Sequence, residues 1–276
     1  MKIGLSLPVR EMKNDLGAIK AFAELAEELD FSHLRIPDQV IRPDSGHLHE
    51  PMTLLAWLAG FTSKIQLVPS VIVLPLRRTA VFAKQAAGLD LLSNGRLRLG
   101  IGVGASPEEF AAVGADFHSR GARCDEQMTL LKQLWTNEQV EFAGRWDTIS
   151  GMGLDPLPDQ RPIPMWIGAQ AVPRASVIRR IATLSDGWFV LSSPDEFVEV
   201  SAKIADAAQA SGRDPAEIGT EAGVAVVGPR EAEWQDRVRG WRKAGLDYVC
   251  LRTLGGGLDN EQHLSKLREI ANQIPE

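Results

Sequence analysis

Short runs of consecutive apolar residues alternate along the whole chain with segments whose apolar positions recur every three or four residues. "IGLSL" (3–7) precedes a helical pattern in which Leu16, Ile19, Ala23 and Ala26 share a face, with Asn14 or Asp15 as N-cap. "HLRI" (33–36) leads through a loop to "PMTLLAWLAGFT" (51–62), where Pro51 suits a first helical turn. "IQLVPSVIVL" (65–74) is apolar almost throughout, as a parallel strand covered on both faces should be. A helix over 79–92 separates it from "RLRLGIGVG" (96–104). Next come "MWIGA" (165–169), a helix to residue 184, "GWFVL" (187–191) and a helix over 195–211. "EAGVAVVG" (221–228), a helix over 230–244, "DYVCLRT" (247–253) and a helix over 259–273 complete the pattern.

Eight strand-then-helix units with no break in composition predict a (β/α)₈ TIM barrel, one domain over 1–276, better than an open doubly wound sheet. The fourth unit is long. Residues 105–163 hold a helix over 119–136, then the Gly/Pro/Asp-rich "SGMGLDPLPDQRPIP", and read as an insertion over the catalytic face after strand 4. Pro69 has no N–H for a sheet ladder, so it predicts a broken ladder around Pro69–Val71 near the C-terminal end of strand 3. Barrel active sites sit at that end, although a local irregularity with no role would look the same in sequence.

The chain has 276 residues, 44% hydrophobic and 24% charged, with a formal net charge of −6 spread over interspersed acids and bases. That balance gives no nucleic-acid surface and no anionic-membrane surface, and no apolar run is long enough to cross a bilayer. The N-terminal "MKIGLSLPVREMK" reads as a first strand and not a signal peptide. Cys124 and Cys250 lie in no metal or redox motif and read as two buried, reduced thiols, so a cytoplasmic location is expected.

"LRLGIGVGASPEEF" (97–110) fits the dinucleotide fingerprint G-x-G-x-x-G/A through Gly100, Gly102 and Ala105. Three strand–helix units precede it, however, and Ser106–Pro107 is the better helix start, which speaks against a Rossmann loop. "IGAQAVPRASVIRRI" (167–181) places a strand-to-helix turn before Arg174, Arg179 and Arg180, where free backbone N–H groups could hold a phosphate. "RTLGGGLDN" (252–260), after strand 8, is a rival for that duty. Asp38–Gln39 end strand 2 and face the catalytic mouth, or else fix a loop. His33, His118 and His263 have no spaced partners, and His47 and His49 lack a third ligand, so no metal site is expected. Motifs for covalent hydrolysis or phosphoryl transfer are absent.

Residues 50–104, from "EPMTLLAWLAGFTSKIQLVPSVIVL" through "AKQAAGLDLLSNGR" to "GIGVG", resemble the luciferase-like flavin and deazaflavin oxidoreductases, and within them the subgroup using coenzyme F420. "EEFAAVGADFHSRGARCDEQMTLLKQLW" (108–135), "PMWIGA" and "SDGWF" extend the resemblance in order. It implies a non-prolyl cis peptide at Ser70–Val71, forming a bulge behind the cofactor ring. It also implies that Gly102, Val103 and Gly104 lie along that ring, that Gly168, Ala169 and Gln170 receive the cofactor phosphate, and that Ser6 and Asp38 line the pocket. Where sugar-phosphate dehydrogenases of this subgroup have a histidine, this chain has Gln39, and where they have a glutamate after the strand 4 glycines it has Ala105.

Gln39 cannot exchange a proton near pH 7, so the resemblance implies reduction of an activated C=C, C=N or carbonyl group, with Gln39 as hydrogen-bond donor. The acidic tail of the deazaflavin would be met by Arg42, Arg77, Arg78 or Arg174. FMN-dependent monooxygenases share these motifs, and a degenerate cofactor-binding paralogue is the third reading. Family resemblance also implies a homodimer acting on a small molecule.

Overall fold

The computed structural model of the chain describes residues 1–41 and 47–275. β1 (Lys2–Ser6), α1 (Val9–Met12), α2 (Leu16–Glu28), β2 (His33–Ile36) and α3 (Pro51–Ala59) open the chain. The third barrel strand is in two pieces, β3 (Gln66–Pro69) and β4 (Ile72–Val73), and α4 (Thr79–Leu92) and β5 (Leu99–Gly102) follow. The insertion holds α5 (Pro107–Ala112), α6 (Arg120–Thr136), β6 (Val140–Ala143) and β7 (Thr148–Met152). Then come β8 (Met165–Gly168), α7 (Ala175–Leu184), β9 (Gly187–Val190), α8 (Pro194–Ala210), β10 (Gly219–Ala225), α9 (Trp234–Lys243), β11 (Tyr248–Arg252) and α10 (Asn260–Ala271).

Nine parallel strands run in the order β3-β2-β1-β11-β10-β9-β8-β5-β4. The ring closes where Leu67 pairs with Leu97: Leu67 N donates to Arg96 O at 2.9 Å and Arg98 N to Leu67 O at 3.0 Å. The structure is therefore the expected TIM barrel. Its strands read as apolar runs because both faces are covered, and every residue of β5 and β9 is buried.

Pro69 ends β3 as its missing N–H predicts, and pairing to β5 resumes only at Ile72–Ile101 and Val73–Gly102. Between them the Ser70–Val71 peptide is cis, as the resemblance implies. Helix starts follow local chemistry: Asp15 accepts from Ala18 N at 2.9 Å to start α2, and Glu50 accepts from Thr53 N at 2.7 Å with Pro51 in the first turn of α3.

The insertion is richer than its sequence suggests. Besides α6 it contains α5 and an antiparallel hairpin, β6–β7, whose turn is held by Glu126 accepting from the N–H groups of Arg145, Trp146 and Asp147 at 2.7 to 3.0 Å. The hairpin is largely exposed and short, so no apolar alternation marks it. Trp135, fully buried, donates its indole N–H to Ala83 O at 3.0 Å and fixes α6 to α4. Cys124 and Cys250 are buried free thiols, and burial pushes each up to about 12. Among the described residues no helix is long and apolar enough to cross a membrane.

Candidate active site

The C-terminal ends of the barrel strands bring Ser70–Val71, the strand 4 glycines and the β8 end together. A Cβ added to Gly102 would stand 2.6 Å from Val71 Cγ2, and one added to Gly168 would stand 2.8 Å from Val71 Cγ1. The two glycines thus form a notch filled by the Val71 side chain. At Gly102 and Gly168 they make room for the bulge that faces the mouth. Gly104 has φ +78°, and a side chain there would meet Val73 Cγ1 at 2.6 Å and the Phe110 ring at 2.9 Å. Half-buried Val103 lies between, and Arg120 Nε donates to Gly104 O at 3.3 Å.

After β2, the two neighbours Asp38 and Gln39 have separate fates. Asp38 is almost fully buried and accepts from Val73 N at 2.9 Å and from both terminal nitrogens of Arg77 at 2.7 and 3.0 Å. It ties the β2 loop to the bulge, and Arg77, also 3.4 Å from Glu50, is engaged structurally. Gln39 Oε1 is buried with no hydrogen-bond partner. The backbone beyond it is pinned by buried Glu109, on α5, which accepts from Val40 N at 3.0 Å and Ile41 N at 3.4 Å. Arg42, the other basic group expected on this loop, lies outside the described residues.

Helix ends sort the phosphate candidates. α8 carries a capping box of Ser193 and Glu196, and α10 one of Asp259 and Gln262, so their first-turn N–H groups already face their own acceptors. That fills the position of the rival "RTLGGGLDN". α5, behind the supposed dinucleotide fingerprint, has Ser106 as cap and Glu108 and Glu109 in its first turn, a poor anion site. α4 has no side-chain cap, but Asp147 accepts from Thr79 Oγ1 at 2.6 Å at that end. α7 follows Gly168, buried Ala169 and exposed Gln170, with no side-chain cap and no acid in its first turn. Exposed Arg174 occupies the N-cap position.

Beneath the bulge, the barrel interior holds charge. Arg35 donates to Ser70 Oγ at 2.6 Å and to Glu221 Oε1 at 2.9 Å; Arg98 donates to Glu221 Oε2 at 2.8 Å; His33 Nε2 lies 3.1 Å from Glu221 Oε1. Burial pushes the Glu221 carboxyl up, but His33, Arg35 and Arg98 outweigh it and hold the group below the usual carboxylate range. For His33 burial wins over Glu221 and lowers its pKa below the ordinary value. Cys250 lies close to His33 and Glu221, but the two guanidiniums on the carboxylate disfavour a cation there. Half-buried Ser6 pairs in register with Arg35 and with Arg252 at the ends of their strands.

A sequence profile of luciferase-like monooxygenases matches residues 1–274. The chain belongs to the luciferase-like monooxygenase family. Its relatives include an F420-dependent hydroxymycolic acid dehydrogenase of Mycobacterium tuberculosis, 30% identical over 83% of this chain and 64% of that one. An F420-dependent glucose-6-phosphate dehydrogenase of Kineococcus radiotolerans is 37% identical over 55% of this chain and 47% of that one. Among solved structures, an F420-dependent secondary alcohol dehydrogenase, 15% identical, superposes with a TM-score of 0.82 over 100% of this chain and 99% of that one. The monooxygenase RslO1 from Streptomyces bottropensis, 22% identical, gives 0.81 over 99% and 98%. At these identities the structures share the fold.

In this luciferase-like barrel, Ser70, Val71, Gly102 and Gly168 meet at one notch, with Asp38 bonded to its rim through Val73. Ser6, Val103, Gly104, Ala169 and Gln170 end or follow their strands at the same mouth. Sequence reasoning missed Arg35, Arg98, Glu221 and Glu109. A signal was present for the first three: each is a charged residue within or bordering an apolar parallel strand, at the spacing of inward-facing positions. Glu109 looked like an ordinary helix-start acid.

Proposed function

We propose that this chain is an oxidoreductase that uses coenzyme F420 to pass a hydride between the deazaflavin and a small organic substrate. Relatives at 30% and 37% identity are named F420-dependent dehydrogenases, and they favour the deazaflavin over FMN. The observation that carries the reading is the open start of α7 after Gly168–Ala169–Gln170, where backbone N–H groups can meet a phosphate that α8 and α10 would repel. The residues present fit a group with a ring and a phosphate: the buried, unpartnered acceptor at Gln39 would serve one part and the uncapped start of α7 the other.

When bound, the deazaflavin supplies the two-electron carrier. Ser70, Val71, Gly102, Val103 and Gly104 would form the wall against its ring, with Ser6 beside them. Asp38 acts as a positioning residue through Val73 N and Arg77. Gln39 orients the reacting groups by hydrogen bonding, because it has no proton to exchange near pH 7. The substrate class is an activated C=C, C=N or carbonyl compound, or the alcohol or amine that corresponds to it.

Titration of the purified protein with F420 and with FMN, followed by fluorescence, tests this. Binding of F420 without FMN supports it; the reverse transfers the assignment to an FMN-dependent monooxygenase, and failure of both leaves a degenerate paralogue. Arg174→Asp sharpens the test. An acid at the N-cap should stabilise α7 by about 1 kcal/mol while weakening F420 binding roughly tenfold. Unchanged affinity would remove α7 from the site.

A further inference from the structure

The charge cluster beneath the Ser70–Val71 bulge is unbalanced. Two guanidiniums, Arg35 and Arg98, face one carboxylate, Glu221. His33 is fully buried with its protonated form disfavoured, and the Cys250 thiol stays protonated, so neither alters the count. Arg98 is 2% exposed, and its Nε and Nη1 have no hydrogen-bond partner; its guanidinium lies 4.2 Å from the Trp166 ring centroid and 4.6 Å from that of Tyr248. Arg35, 4.5 Å over the Phe189 ring, carries the excess to the mouth through its 2.6 Å bond to Ser70 Oγ. Both charges sit among aromatic rings, where water does little to screen them.

We propose that Arg35, backed by Arg98, tunes the redox balance of the site by favouring the cofactor form that carries more negative charge. The inference rests on the F420 reading above. A hydride brings two electrons and one proton, so its arrival lowers the charge of the acceptor by one as the substrate is oxidised by two electrons. A net positive charge behind the Ser70 wall therefore holds the reduced form more tightly than the oxidised form. Such a device suits a site in which neither Gln39 nor Ala105 can supply a proton to offset that charge.

The test is to measure dissociation constants of oxidised and of chemically reduced F420 for the wild-type protein, Arg35→Gln and Arg35→Lys. Wild type should bind the reduced form more tightly. Arg35→Gln should cut the reduced-to-oxidised preference about tenfold, a fall of roughly 30 mV in the bound midpoint potential for a two-electron couple. Arg35→Lys, which keeps the charge, should stay within about threefold of wild type. A wild-type preference for the oxidised form, or the same preference in Arg35→Gln, overturns the inference while leaving F420 binding intact. Failure of wild type to bind either form overturns the cofactor reading itself. If Arg35→Gln does not fold, the wild-type potential decides, since it must lie above that of the free cofactor.

Discussion

Val71 shows how much a single side chain can ask of its neighbours. Its two methyl groups occupy the space that side chains at positions 102 and 168 would need, and both positions are glycine. Gly102→Ala should therefore cost about 1–3 kcal/mol, because strand neighbours cannot all shift to admit a methyl group. Val71→Ala empties the notch, so the double variant should be less destabilised than the sum of the single ones, by on the order of 1 kcal/mol. Denaturant unfolding of the four proteins measures this coupling, and strict additivity would dissociate the glycines from Val71. The alternation of glycines was visible in the sequence, but what filled the space was not. A two-residue period says which face is bare and nothing about the strand that leans on it.

Among the elements, α2 and β3 are joined by one carboxylate. Glu27, near the C-terminal end of α2, accepts from Ser63, Lys64 and Ile65 N–H groups at 2.7 to 2.9 Å and from the Ser63 hydroxyl at 2.9 Å. Burial pushes the carboxyl up, but these donors more than compensate and hold it at about 2. The folded-state value lies below the unfolded one, so the stabilisation is complete above about pH 5 and is lost as pH falls toward 2. Glu27→Gln should be less stable near neutrality by on the order of 1 kcal/mol, a figure discounted for solvent screening, and the gap should close on acidification. Urea midpoints at about pH 7 and about pH 3 test it; a gap that persists in acid assigns the effect to packing. Several of these elements were legible because their starts carry their own chemistry, as Asp15, Glu50–Pro51 and Ser193-to-Glu196 show. The β6–β7 hairpin was not, since its stabiliser is Glu126 on a separate helix.

Over the whole molecule, the barrel could be read from eight apolar runs because parallel strands buried on both faces leave a nearly continuous signal. The floor of the barrel could not. Arg35, Arg98 and Glu221 lie on β2, just before β5 and on β10, and only the closure of the sheet brings them together. Of the mouth, the bulge and the glycine-rich strand end were legible from Pro69 and local spacing, whereas the latch from Glu109 to the β2 loop depends on where the insertion folds back.

Tyr248 lies on that floor. It is the only tyrosine among 276 residues, and its ring touches Arg98, His33 and Trp166. Ring-labelled tyrosine would therefore give an NMR spectrum with one residue in it, needing no assignment, whose resonances report on the charge cluster and on Lys2, 5.4 Å from the ring centroid. Arg35→Gln should move them, Arg174→Asp should leave them in place, and a resonance insensitive to Arg35 would separate the tyrosine from that cluster.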